Sequence, residues 1–165
     1  MPHKRSIPRI GHGFDLHRLE VGLPLIVCGH RLEHDRGCVA HSDGDVVYHA
    51  VTDALLGALA LGDIGALFPD TDPAWKGADS RAFVVEAVKR VCDTGYILGN
   101  LDVTVVLERP KLWPHIDIMR ANLAGLLGCD VNAVSLKGKT HERVDAVGRG
   151  EAIACHVVAL LVPAM

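Results

Sequence analysis

The sequence predicts an α/β fold of α+β character: a single domain with one mixed β-sheet packed by helices. Three observations predict it. The chain has 165 residues, enough for one domain with a real core. Stretches of alternating or continuous apolar residues are interspersed with stretches of helical period. No repeat, linker or low-complexity segment separates them, so residues 1–165 are read as one unit.

The first element is Ile10 to His17, where apolar residues alternate with small or polar ones in the pattern of a half-buried strand. Alternation puts Asp15 and His17 on one face with Gly11 and Gly13, opposite Ile10, His12, Phe14 and Leu16. The acid and the imidazole are thus expected over a surface kept open by missing side chains. A carboxylate oxygen and an imidazole nitrogen are two of the ligands of a catalytic zinc site, although such a pair serves equally as a satisfied polar contact. Leu23 to Cys28 reads as a second strand ending at Gly29, and His30 to Arg36 as an exposed connection.

A helix follows from Asp45 to Leu61, with Ser42 as cap, Asp45 in the first turn and Gly62 as stop. Its apolar positions Val47, Ala50, Val51, Ala54, Leu55 and Ala58 recur at helical spacing, and His49 sits one turn before Asp53. His49 is the best candidate for a third metal ligand. The segment from Gly62 to Pro73 is a loop by its Gly, Pro and Asp content. Its acids Asp63, Asp70 and Asp72 fit turn chemistry or a role toward substrate or metal.

Ser80 starts another helix, striped by Phe83, Val84, Ala87, Val88 and Val91 and stopped by Gly95. Leu101 to Leu107 is a strand, Arg109 to Pro114 a rigid turn, and Pro114 to Leu127 a helix closed by Gly128. Val134 to Lys139 is again a strand. The apolar run from Ala152 to Val162 reads as a central strand buried on both faces. Lys137-Gly138-Lys139-Thr140-His141-Glu142-Arg143 ends a strand with amines, a hydroxyl and a carboxylate, a set suited to phosphate oxygens and a phosphate-bound Mg²⁺. Taken alone it reads as a solvated strand end before it reads as a site, and Gly148-Arg149-Gly150-Glu151 is an anion-binding turn or a tight loop.

A net charge of −3 and 4 % aromatic residues leave no basic footprint and few stacking platforms for nucleic acid. The five cysteines are odd in number and lack a Cys-x-x-Cys pair, as expected of buried thiols in a reducing compartment. No apolar run reaches the ~20 residues of a membrane span. The cytoplasm is the expected location, or an organelle stroma if the chain is a mature form without its transit peptide. No Gly-x-x-x-x-Gly-Lys-Ser/Thr loop is present, which argues against an ordinary ATPase or kinase. An open Asp/His/His site, a mobile acidic loop and a Lys/Thr/Glu strand end suit phosphate or diphosphate handling.

Six motifs carry a resemblance over nearly the whole chain: Gly11–His17, His41–Asp45, Thr52–Ala58, Leu61–Gly65, Phe68–Pro73 and Lys76–Arg81. In fixed order they closely resemble the 2-C-methyl-D-erythritol 2,4-cyclodiphosphate synthase family. The resemblance implies an enzyme of the non-mevalonate isoprenoid pathway. It would convert 4-diphosphocytidyl-2-C-methyl-D-erythritol 2-phosphate into the cyclic diphosphate and CMP, as a homotrimer with active sites between neighbouring subunits. It further implies Zn²⁺ on Asp15, His17 and His49, with Mg²⁺ or Mn²⁺ held with the help of Thr140 and Glu142. His41 and Thr140 would stabilise charge in the reaction. His41, Ser42 and Lys139 would hold phosphate, and Asp63, Ile64, Gly65, Phe68, Asp70, Thr71 and Asp72 the methylerythritol unit. The cytidine pocket would be Leu107, Glu108, Arg109, Pro110, Lys111, Leu112 and Trp113. Arg149 matches an arginine that holds phosphate at an axial cavity in the family. Asp145 and Ala146 depart from the Gly and aromatic that many relatives carry there, which alters the expected shape of that cavity.

A metal-dependent phosphodiesterase and a metal-binding module without activity are the rival readings. The first differs in releasing a linear phosphate, the second in needing a closed metal shell.

Overall fold

The computed structural model describes residues 7–69 and 71–164. In chain order its strands and helices are β1 (Arg9–Val21), β2 (Leu25–Val27), β3 (His30–Leu32), β4 (Arg36–Cys38), α1 (Val46–Ala58), α2 (Ile64–Leu67), α3 (Arg81–Asp93), β5 (Tyr96–Val106), α4 (Ile116–Leu127), β6 (Val134–Lys139), α5 (Asp145–Gly148) and β7 (Ala152–Pro163). One sheet runs in the order β4-β1-β7-β5-β6, and β2 and β3 form a separate hairpin. Only β5 and β6 pair in parallel; the other ladders of the main sheet are antiparallel. The mixed sheet packed by helices is the expected class. The exposed connection expected from His30 to Arg36 instead supplies β3 and the start of β4, whose pairings place Leu32, Gly37 and Cys38 inside.

Two glycines seat the central helix on the sheet. A Cβ at Gly11 would lie 1.8 Å from the Ala54 carbonyl oxygen, and one at Gly13 would lie 1.8 Å from that of Ala50. No other residue lets the backbones of β1 and α1 meet so closely. The face carrying Gly11 and Gly13 is therefore filled by helix backbone and not open, a correction to the sequence reading. Because Ala50 and Ala54 abut these glycines, His49 arrives beside Asp15, the next inward position of β1.

The first turn of α1 also differs from expectation. Asp45 is the cap, its side chain accepting from Val47 N and Tyr48 N, and the helix ends at Ala58. Ser42 is free to act elsewhere. Asp45 is fully buried and also accepts from Cys28 N and Gly29 N, tying the β2–β3 turn to the start of α1. Burial pushes its carboxyl up to about 6 despite these N–H donors.

The core lies between the sheet and α1, α3 and α4, with Val51, Leu55, Val84, Val103, Val105, Leu123, Val157 and Leu161 buried. Burial of each such side chain contributes roughly 1.5–3 kcal/mol. Among the described residues the opposite sheet face is covered only at one end, where Val147 of α5 joins Val106, Ala152 and Ala154 in a small second cluster; elsewhere Ile10 is 73 % exposed, and Phe14, Leu16 and Val158 are also exposed. β7 is central as expected; Ala152 to Cys155 are buried on both faces, but from His156 onward one face is open, with His156 and Val158 outward. Its apolar run exceeds what one chain covers.

Candidate metal centre and the hollow above it

Three groups converge where β1 meets α1. Asp15 Oδ2 lies 3.0 Å from His17 Nδ1 and 3.0 Å from His49 Nδ1. One ligand atom from each of the three lies within 4.8 Å of the others, and all three residues are half-buried. The period of two in β1 brings Asp15 and His17 to one face, and the glycine-seated helix supplies His49. His17 Nδ1 is buried without a hydrogen-bond partner, because its approach to Asp15 lacks the alignment of a hydrogen bond. A carboxylate oxygen facing two imidazole nitrogens, one of them orphaned, fits a divalent cation such as Zn²⁺. Burial would raise the Asp15 carboxyl, but the adjacent His17 and His49 imidazoles prevail and hold it at about 2.

Behind His49 lies a hydroxyl cluster that sequence reading missed. His49 Nε2 is 2.8 Å from Ser80 Oγ and 3.0 Å from Ser42 Oγ. Ser80 Oγ donates to Asp43 Oδ1, and Ser80 N donates to Asp43 Oδ2 at 3.1 Å. Ser80 reads from sequence as a helix cap, yet it makes no side-chain cap hydrogen bond to α3 and is fully buried. Nothing local distinguishes a capping serine from one turned toward a distant histidine.

Above the cluster is a hollow of about 420 Å³ lined by His17, His41, Ser42, His49, Ile64, Gly65 and Phe68 among others. Phe68 packs against Phe83 with the rings tilted and their centroids 4.6 Å apart, and meets Trp75 edge-on at 5.0 Å, forming an aromatic wall. Asp63 caps α2 through Ala66 N, and Asp72 caps the Pro73–Trp75 turn through Ala74 N. These acids thus perform the turn chemistry; Thr71 is exposed beside them, and Asp70 lies outside the described residues.

The remaining expected residues form a second region. Leu107, Glu108, Pro110, Lys111, Leu112 and Trp113 line a hollow of about 250 Å³ together with Lys139 and Thr140. Parallel pairing of β5 with β6 brings these two segments together. Leu112 is largely core, whereas Trp113 is 83 % exposed. Arg109 lines a separate basic hollow with Arg36, Arg143 and Arg149. Arg149 is held there by Glu151 through Nε at 3.2 Å and Nη2 at 3.1 Å.

Glu142 is exposed and accepts from Thr140 Oγ1 at 3.2 Å. It is not part of the Asp15/His17/His49 cluster. Its backbone is left-handed, with φ of 51°, as are Arg143 at 63° and Asp145 at 60°. Three such residues within four positions store strain of roughly 1–3 kcal/mol each. Asp145 anchors this turn through His141 Nδ1 at 2.9 Å and Val147 N at 2.8 Å. The hollow of the metal cluster and that of the strand end share no lining residue.

Among the described residues no helix is long and apolar enough to cross a membrane. The YgbB family model matches residues 8–162. The chain is 58 % identical over 161 residues to the chloroplastic 2-C-methyl-D-erythritol 2,4-cyclodiphosphate synthase of Oryza sativa subsp. japonica, covering 97 % of this chain and 72 % of that protein. It is 60 % identical over 154 residues to the corresponding synthase of Pectobacterium atrosepticum, covering 93 % of each. A solved 2C-methyl-D-erythritol-2,4-cyclodiphosphate synthase superposes with a TM-score of 0.87 at 44 % identity, over 93 % of this chain and 100 % of the other. Plasmodium falciparum IspF, solved as a CDP complex, gives 0.87 at 33 % identity over 98 % and 100 %. With a family model spanning nearly its whole length, and relatives of more than half identity bearing one enzyme name, this chain belongs to the YgbB family of 2-C-methyl-D-erythritol 2,4-cyclodiphosphate synthases.

Proposed function

We propose that the protein cyclises 4-diphosphocytidyl-2-C-methyl-D-erythritol 2-phosphate to 2-C-methyl-D-erythritol 2,4-cyclodiphosphate with release of CMP, as a phosphorus–oxygen lyase. The observation that carries this reading is the Asp15/His17/His49 cluster, with its orphaned Nδ1, at the floor of a hollow flanked by His41 and Ser42. Relatives that share this chain's sequence throughout bear the name of that reaction's product.

An oxygen of the 2-phosphate attacks the β-phosphorus, the bond from that phosphorus to the bridging oxygen breaks, and CMP departs with the bridging oxygen. The nucleophile is already anionic, so no general base is required. Zn²⁺ on the three-residue cluster, when bound, supplies charge neutralisation at the diphosphate. His41 and the Ser42 hydroxyl donate to phosphate oxygens, while Asp63, Ile64, Gly65, Phe68, Asp70, Thr71 and Asp72 hold the methylerythritol unit. Leu107 to Trp113 hold cytidine, Lys139 and Thr140 bind phosphate, and Glu142 engages Mg²⁺ or Mn²⁺.

The metal cluster and the strand end occupy separate hollows of one chain, and the outer sheet face leaves Ile10, Phe14, Leu16 and Val158 bare. Both features support a homotrimer in which each site combines the metal hollow of one subunit with the strand end of its neighbour. The whole chain, residues 1–165, is taken as one catalytic unit, acting in the cytoplasm or, as with the chloroplastic relatives, in an organelle stroma.

The test is ³¹P NMR of the protein with the proposed substrate and Mg²⁺, with and without a zinc chelator. The expected result is a cyclic diphosphate pair together with CMP, abolished by chelation. A linear hydrolysis product would identify a phosphodiesterase, and no reaction at full zinc occupancy would leave a binding module.

A further inference from the structure

Ser80 and Asp43 sit behind the metal cluster without facing the hollow, and they settle how His49 presents itself. Ionised, the Asp43 carboxylate has only acceptors to offer. Its Oδ1 receives Ser80 Oγ–H and Asp45 N, the latter at 3.1 Å, and its Oδ2 receives Ser80 N. The single Ser80 hydroxyl hydrogen is therefore committed to Asp43. What Ser80 turns toward His49, 2.8 Å away, is a lone pair, so the hydrogen of that contact belongs to His49 Nε2. A neutral imidazole with its hydrogen on Nε2 has its lone pair on Nδ1, the atom 3.0 Å from Asp15 Oδ2. Two lone pairs facing each other at that distance call for a cation between them.

Ser42 cannot do this work alone. Its Oγ lies farther from His49 Nε2, at 3.0 Å, and also accepts from Gly44 N at 3.3 Å, which leaves its hydrogen for the hollow. Ser80 is fully buried, 3.4 Å from Ser42 Oγ, and out of reach of a ligand in the hollow. One hydroxyl is exchangeable and the other is permanent.

We infer that Ser80, oriented by Asp43, is a positioning residue of the metal centre: it locks His49 in the Nε2–H tautomer and aims Nδ1 at the cation. The inference rests on the reading of Asp15, His17 and His49 as metal ligands. Partners of this kind behind a metal-bound histidine are typically worth 10–100-fold in metal affinity.

The experiment measures zinc dissociation constants of metal-stripped full-length protein by competition with a chelating dye, for wild type, Ser80→Ala, Ser80→Thr and Asp43→Asn. Ser80→Ala is expected to bind zinc about 10–100-fold more weakly. Ser80→Thr, which keeps the hydroxyl, should stay within a few-fold of wild type, and Asp43→Asn should fall between. Zinc binding by Ser80→Ala equal to wild type overturns the inference and leaves the metal centre standing. Equal weakening by Ser80→Ala and Ser80→Thr also overturns it, since the hydroxyl is then not the cause. A wild type that binds no zinc overturns the metal centre and the inference together.

A second measurement needs no variant. Long-range ¹H–¹⁵N correlation on the zinc-loaded wild type should show the hydrogen of His49 on Nε2; a hydrogen on Nδ1 overturns the assignment. With zinc on Nδ1 this hydrogen position follows from coordination itself, so the part played by the Ser80 hydroxyl is read from the rescue of zinc affinity by Ser80→Thr.

Discussion

The metal cluster and the strand-end loop differ in almost every physical respect, although the proposed reaction uses both. Asp15, His17 and His49 are half-buried, and His49 and Asp15 are held by partners from β1, α1 and the Ser42–Ser80 pair. Thr140 and Glu142 are exposed, bonded chiefly to each other, and carried on a turn with three non-glycine residues of positive φ. The first region is complete within one chain, since even its outer partners are satisfied. The second is exposed and held mainly by partners from its own loop and from Glu108, and the proposed inter-subunit site would need such an open surface.

Breaking the metal side should have the largest effect. His49→Ala removes a ligand and is expected to lower turnover by roughly 10³-fold or more, with zinc lost in a metal assay. Size-exclusion chromatography should find its assembly unchanged.

Glu142→Gln attacks the other region. It is expected to lower turnover about 10–100-fold while zinc content stays at the wild-type level, because the residue lies outside the cluster. Mixing the two variants sharpens the contrast. In randomly assembled heterotrimers of His49→Ala and Glu142→Gln, about a quarter of interfaces unite an intact half from each, so about a quarter of wild-type activity should return. Sites confined to single chains would show no rescue.

Gly13→Ala tests how α1 is seated, because its Cβ would meet the Ala50 carbonyl at 1.8 Å. An expected loss of about 3 kcal/mol in denaturant unfolding should be accompanied by weaker zinc binding, as His49 moves with the helix.

The smallest effect concerns pH. Asp45, at about 6 in the fold and about 4 unfolded, takes up a proton on folding between those values. Its contribution therefore declines as pH rises from about 4 to about 6, by about 2 kcal/mol, and is constant above. Asp45→Asn should remove that slope when unfolding is compared at pH 4.5 and pH 7, whatever its effect on absolute stability.

Much of this was legible because it is local. Period-two alternation put Asp15 and His17 on one face, helical spacing put His49 in the first turns of α1, and Gly128 closed α4 with a left-handed φ of 64°. The motifs carried the family, because runs such as Gly11–His17 and His41–Asp45 stand in fixed order along the chain. The acidic loop was only half legible: Asp63 and Asp72 turned out to cap short helical turns, a role that composition alone could not separate from ligand binding.

The sequence by itself determined the order and type of the long strands and helices, the three metal-binding candidates and the family, since each depends on spacing along one segment or on motif order. Only the tertiary structure decided what Gly11 and Gly13 are for, that Asp45 and not Ser42 caps α1, that one face of β7 is open from His156 onward, and that Ser80 and Asp43 stand behind His49. These are contacts between residues as many as 47 positions apart, as between Gly11 and Ala58, or faces left uncovered by the whole fold. A local pattern carries no information about which distant backbone will press against a missing side chain, or which distant hydroxyl will meet an imidazole.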